Sequence, residues 1–201
     1  MNVINLREIL ETQKTFLERL YFVLVRTGYR RDRGDIAFVP INDTLEVQFK
    51  LNIADLIEKS SVAVFNDLIE RVSLSIEEVF EAAFENTEEM LQPRLKKMSD
   101  ILPIPMDIDI PMYVLTNERK TFGAGAILYS GMKERLESVV GEDFIVIPSS
   151  VHETIIVPDF MASTSITDII REVNRTTVGS LEVLSDRPYK LVEDRVLREL
   201  I

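Results

Sequence analysis

Residues 112–156, MYVLTNERKTFGAGAILYSGMKERLESVVGEDFIVIPSSVHETII, carry the reading on which the fold turns. An apolar run at 112–116 predicts a strand, and the polar segment 117–121 a turn. Gly123 and Gly125 suit a close backbone approach, after which 126–129 reads as another short strand. Gly131 opens a helix over 132–140 with Met132, Leu136, Val139 and Val140 apolar, and Gly141 stops it. Strands at 144–147 and 151–157 follow, joined through Pro148-Ser149-Ser150 and ended by Pro158. Strand, helix, strand, strand with a hairpin is an α+β order.

Toward the N-terminus, Asn5 is placed to cap a helix in which Leu6, Ile9, Leu10, Phe16, Leu17, Leu20, Tyr21 and Leu24 recur at three- and four-residue spacing, so that one helix is expected to run to about 25–27. Gly28 suits its end, and RRDRGD reads as a solvated, charged loop. Segments 36–41 and 45–51 flank Asn42-Asp43 as a hairpin. In the second, Leu45, Val47, Phe49 and Leu51 alternate with Glu46, Gln48 and Lys50, which predicts one buried face. A short helix or turn is expected at 53–59 and a strand at 61–65. Ser75 and Glu78 have capping-box spacing for a helix to about 86. A helical turn at 96–102 and an extended PIPMDIDIP connector should follow. Beyond residue 158, Ser165 or Thr167 caps a helix with Ile169, Ile170 and Val173 apolar, and VEDRVLRELI reads as a terminal helix. The expectation is an α+β fold, a mainly antiparallel sheet flanked by helices with a helical N-terminal extension, divided at 1–60 and 61–201.

Composition narrows function more than motifs do. The chain has no cysteine and one histidine, which removes disulfides, thiolate nucleophiles and Cys-based zinc sites. A net charge of −11 argues against direct nucleic-acid binding, which needs clustered Lys and Arg, and points instead to a protein partner, of basic character if the acidic surface is what it meets. The longest apolar run falls far short of the roughly 20 residues of a membrane span, and the start of the chain lacks a secretory layout, so a cytoplasmic, soluble protein is expected. No motif calls for a cofactor.

Three groups of residues are candidates for chemistry. Ser149 or Ser150 as nucleophile, His152 as base and Asp186 as orienter form the one set with hydrolase logic, although Pro148 stands where a nucleophile elbow would place Gly-x. The competing reading makes PSSVHE a corner in which the serines satisfy backbone groups and His152 bonds a neighbouring loop. Asp143, Glu153 and Asp186 would be the oxygens for a magnesium ion, but nothing in the sequence brings them together, and no metal site is expected. Gly123-Ala124-Gly125 lacks the third glycine of a dinucleotide fingerprint, Leu128 standing in its place. Glu77, Glu81, Glu85 and Glu88 share one face of the helix after Ser75 and form a binding candidate, together with Asn117 and Asn174.

The blocks SIEEVFEAAFENT, MYVLTNERKTFGAGAILYSG, IPSSVHETIIVP, REVNRTTV and VLSDRPY, in that order over about 61–194, resemble an uncharacterised bacterial family of domains of unknown function. Family members have a longer N-terminal region than the helix and hairpin read here. The resemblance implies a shared α+β fold and no particular activity. Its occurrence in bacterial chromosomes and mobile elements favours a regulatory or interaction role. The expected function is therefore a non-enzymatic interaction or regulatory protein, with an acidic inhibitor of a nucleic-acid-handling protein and a hydrolase using Ser150 and His152 as alternatives.

Overall fold

The strand Leu45–Asn52 (β3) is the axis of the N-terminal sheet. The structure, a computed structural model, describes residues 12–58, 60–101, 111–161 and 165–200. On one side β3 pairs antiparallel along its length with Leu20–Arg26 (β1). On the other it pairs with Phe38–Pro40 (β2) and then with Ser61–Ala63 (β4). The hairpin about Asn42 is as expected, the Asn42 side chain accepting from the backbone N–H groups of Thr44 and Leu45.

β1 corrects the expected long helix. Helix survives only as Gln13–Leu17 (α1), and the residues proposed ahead of it, Asn5 to Leu10, lie outside the described set. LYFVLVR is nearly continuous in its apolar character, so a helical spacing can be picked out of a run that is in fact buried on both faces of a sheet. The single buried face of β3 is also corrected, because Glu46 and Gln48 are as buried as Val47. The β1–β2 loop folds over them. Tyr29 O accepts from Gln48 Nε2 at 2.6 Å, and Arg31 reaches Glu46. RRDRGD is thus no solvated loop at Arg31, whose guanidinium also lies 3.4 Å from the centre of the Phe38 ring.

After the short helix Asn66–Arg71 (α2), the Ser75–Glu78 capping box opens Ile76–Met90 (α3), one turn longer than expected. The Ser75 hydroxyl accepts from the Glu78 N–H at 3.2 Å, and the Glu78 carboxylate accepts from the Ser75 N–H at 2.7 Å. α3 packs on β1 and covers its free edge, where an unpaired row of N–H and C=O groups would otherwise be exposed. Thr87 Oγ1 accepts from the Phe22 N–H at 2.9 Å, and Asn86 Nδ2 donates to Leu17 O and Leu20 O.

The second sheet has the order β10-β9-β7-β8-β6-β5 and is antiparallel throughout. Its strands are Pro93–Lys97 (β5), Tyr113–Asn117 (β6), Phe144–Ser150 (β7), Glu153–Pro158 (β8), Tyr189–Glu193 (β9) and Val196–Glu199 (β10). Met132–Val140 (α4) and Ile166–Thr176 (α5, with Ser165 at its N-cap position but no capping bond from its side chain) flank it. Three expectations change here. Segment 96–102 supplies the end of β5 and a 3-10 turn, Met98–Asp100, with most of the PIPMDIDIP connector outside the described residues. The terminal helix is the β9–β10 hairpin, turned at Asp194-Arg195 with Arg195 at φ 66°. The β7–β8 turn is Val151-His152, and Pro148 to Ser150 sit inside β7 at a register shift, which accommodates a proline with no N–H to give the ladder.

The expected strand at 126–129 is instead a wholly buried 3-10 segment, Gly123–Leu128, lodged between the sheets against β1, β6 and β8. Two glycines make this possible, as the close-approach reading required. A Cβ at Gly123 would sit 2.2 Å from Thr116 Oγ1 and 2.5 Å from His152 O, and one at Gly125 would sit 2.9 Å from the Phe22 ring. Phe22 stacks on Phe84 of α3 at 4.1 Å and meets Tyr129 edge-on. One continuous core therefore runs from Phe16 through both sheets to Leu197, and it draws on β1 and β3 of the first sheet as well as on the second.

Candidate functional site

The β7–β8 corner is held by side chains that bond backbone groups. His152 is one-third exposed at its side chain. Its Nδ1 accepts from the Phe122 N–H at 3.1 Å, which places the proton of the neutral ring on Nε2, 3.6 Å from Glu182 Oε1. Phe122 is held at φ 50°, a left-handed conformation that costs a residue with a Cβ roughly 1–2 kcal/mol, and the imidazole fixes it there. His152 O accepts from Thr116 Oγ1 at 2.8 Å, and the Val151 N–H donates to Glu182 O at 2.8 Å. β6, β7, β8, the buried 3-10 segment and the 179–186 loop are thus tied at one histidine.

The serines serve the same corner. Ser150 Oγ accepts from the His152 backbone N–H at 3.1 Å, and Ser149 Oγ donates to Glu153 Oε1 at 3.3 Å. Neither hydroxyl is bonded to the imidazole. Asp186 is elsewhere, accepting from Asn174 Nδ2 at 2.8 Å. The nucleophile–base–orienter chain is therefore not assembled. The oxygens considered for magnesium are likewise dispersed, Asp143 facing Lys190 at 3.5 Å, Glu153 taking Ser149 and Asp186 taking Asn174. Among the described residues no group of three His, Asp or Glu converges.

The remaining candidates divide by burial. Asn117 is fully buried, and its Nδ2 donates to Thr121 O at 2.9 Å to close its own turn. Glu77, Glu81 and Glu85 are exposed on α3 as the spacing required. Glu81 meets Arg195 at 3.5 Å, and Glu88 accepts from both N and Oγ of Ser130, so the acidic row is partly consumed by the fold. Asn174 is nine-tenths buried and donates through Nδ2 to Ser185 O as well as Asp186.

Asn174 also opens onto a cleft that the sequence reading missed. About 540 Å³ in volume, it is lined by Arg26 at the end of β1, by Arg171, Asn174 and Arg175 of α5, and by Val178 and Asp186. The two last family blocks, REVNRTTV and VLSDRPY, meet across it. The signal available was the arginine pair four residues apart on one helix, whose partner Arg26 is remote in sequence.

A second feature concerns charge. Lys50 is held below the ordinary lysine range, first by burial and then by the positive charge of Arg30. Its Nζ lies 5.1 Å from the centre of the Phe122 ring.

A profile described as a family of unknown function, DUF5688, matches residues 8–191. The chain belongs to that family. No curated protein and no solved structure matches it. The DUF5688 region starts well before residue 61, so β1, β3 and the loop carrying Arg31 lie inside it, as do the corner at His152 and every residue of the arginine-lined cleft.

Proposed function

We propose that this DUF5688 chain is a non-enzymatic interaction or regulatory protein whose partner presents a basic surface. The observation that carries the reading is the engagement of the corner. His152 spends Nδ1 on the Phe122 backbone, Ser150 accepts from backbone, and Asp186 serves Asn174, so the polar groups that could do chemistry do structural work. The exposed carboxylates Glu77, Glu85 and Glu89 on α3, on a chain of net charge −11, supply the charge for a basic partner. Competition with nucleic acid for such a partner would make the chain an inhibitor. The absence of cysteine suits a cytoplasmic setting, and the family resemblance a bacterial or mobile-element one. No helix among the described residues is long and apolar enough to cross a membrane.

The test is partner capture from the source cell at low and at 0.5 M salt, with the native chain and with Glu77→Gln/Glu85→Gln/Glu89→Gln. A specific partner lost both at high salt and in the triple variant is expected. Capture indifferent to both sinks the basic-partner reading. An ester or amide hydrolysis abolished by His152→Asn at unchanged melting temperature would restore the hydrolase.

A further inference from the structure

From the arginine-lined cleft we infer a binding site for an acidic peptide segment, distinct from the α3 face and independent of the basic-partner reading. The polar inventory of the cleft decides the ligand. Arg26 makes no ion pair among the described residues. Arg171 and Arg175 are paired only along their own helix, to Asp168 at 3.7 Å and Glu172 at 2.7 Å. All four of those side chains are more than half exposed, and such pairs hold a guanidinium weakly enough for it to turn to a better carboxylate. Asp186 is the one acid in the lining, and it is bound to Asn174.

Asn174 supplies the second, independent observation. Its Nδ2 donates to two acceptors, Ser185 O and Asp186 Oδ1, so the orientation of the amide is fixed by its neighbours. Oδ1 is then an acceptor with no hydrogen bond from the described residues, on a residue that is nine-tenths buried in the cleft lining. A bare phosphate or carboxylate has no N–H to offer it. A peptide does, because its backbone N–H can reach Asn174 Oδ1 while its carboxylates meet the guanidinium groups, and Val178 and Val183 provide apolar wall for the intervening side chains.

The shape agrees. The cleft continues past Arg26, Val183 and Asp186 into a second hollow of about 350 Å³, lined further by Thr27, Asp43, Leu184 and Arg187. An elongated groove with spaced cations suits a run of chain better than a compact ion. Asp43 in the lining of the second hollow disfavours acid there, so the acidic side chains belong to the α5 half.

The experiment is fluorescence anisotropy of a labelled Glu-Val-Asp-Glu-Leu-Asp peptide with the full chain, at about 50 and 300 mM salt. Controls are the matching Lys-Val-Lys-Lys-Leu-Lys peptide and inorganic phosphate as competitor. Saturable binding of the acidic peptide is expected, weakened about tenfold or more by Arg171→Glu and by Arg26→Glu, and weakened by salt. Both arginines are exposed, and circular dichroism verifies that the variants fold. The Glu77→Gln/Glu85→Gln/Glu89→Gln chain should bind the peptide as the native one does, so this site and the α3 reading fail separately. Absence of saturation, equal binding of the lysine peptide, indifference to both substitutions, or displacement by equimolar phosphate would each overturn the proposal.

Discussion

Arg31 and Glu46 should contribute unequally to stability although they form one ion pair. The Glu46 side chain is 1% exposed, and its carboxylate accepts from the Gly28 N–H at 3.0 Å, from Gln48 Nε2 at 2.8 Å and from the Arg31 guanidinium. Arg31→Met leaves that charge buried with two neutral donors, an uncompensated state that costs about 3–5 kcal/mol. The Arg31 side chain keeps 36% of its exposure, so Glu46→Gln leaves a cation that water can still reach. The loss is then that of charge-assisted hydrogen bonds, about 1.5–3 kcal/mol. In a chain of 201 residues, Arg31→Met should lower the melting temperature by about 6–20 °C and Glu46→Gln by about 3–12 °C. The double variant should recover most of the Arg31→Met loss, since no buried charge is left. Thermal melting at pH 7, followed by circular dichroism, reads all three. Equal losses in the two single variants, or a double variant as unstable as Arg31→Met, would refute the asymmetry.

Gly123→Ala should leave little folded protein at 25 °C, because the methyl collides with backbone atoms of His152 and Asn117 rather than with a movable side-chain tip; soluble yield and thermal melting measure it. Thr87→Val keeps the shape but removes the acceptor of the Phe22 N–H on the covered edge of β1, and should cost about 1–3 kcal/mol in urea titration. Above pH 10 the chain should lose stability steeply. Burial raises the hydroxyls of Tyr21, Tyr129 and Tyr189 above their ordinary value, so the unfolded chain releases protons that the native one retains. Lys50 acts with the opposite sign in the window below its ordinary pKa, where its lowered folded value makes stability rise with pH. Tyr129→Phe should flatten the fall above pH 10 while losing the hydrogen bond to Leu91 O, and a melting series across pH 8–11 separates the two.

What could be read from the chain was whatever is enforced within a few residues. The Ser75–Glu78 box, the helix between Gly131 and Gly141, and the Asn42 hairpin all stand where their local chemistry puts them. What failed was decided by distant partners. Leu20, Tyr21 and Leu24 fit a helical stripe, yet the segment is a strand because β3 pairs with it and Asn86 and Thr87 seal its edge. VLRE has helix formers, but Asp194-Arg195 turns it back onto β9, and its partner strand overrides propensity. Glu46 and Gln48 alternate with apolar neighbours as solvent-facing residues do, and only the return of the β1–β2 loop buries them.

The candidate site shows the same division at higher cost. PSSVHE was legible as a corner, since serines before a lone histidine at the end of an apolar strand have backbone groups to satisfy. Its partner was not legible, because the N–H that His152 accepts belongs to Phe122, thirty residues earlier, in a left-handed conformation that no residue type there announces. The same loop that meets the corner also shapes the cleft. Glu182 O holds Val151, and three residues on, Ser185 O holds Asn174. The histidine corner and the arginine cleft therefore share one strip of backbone, 179–186. His152→Ala keeps the Val151 N–H bond to Glu182 O but removes the acceptor of the Phe122 N–H and the contact with the Glu182 carboxylate, so it should lower the melting temperature through the 122 turn.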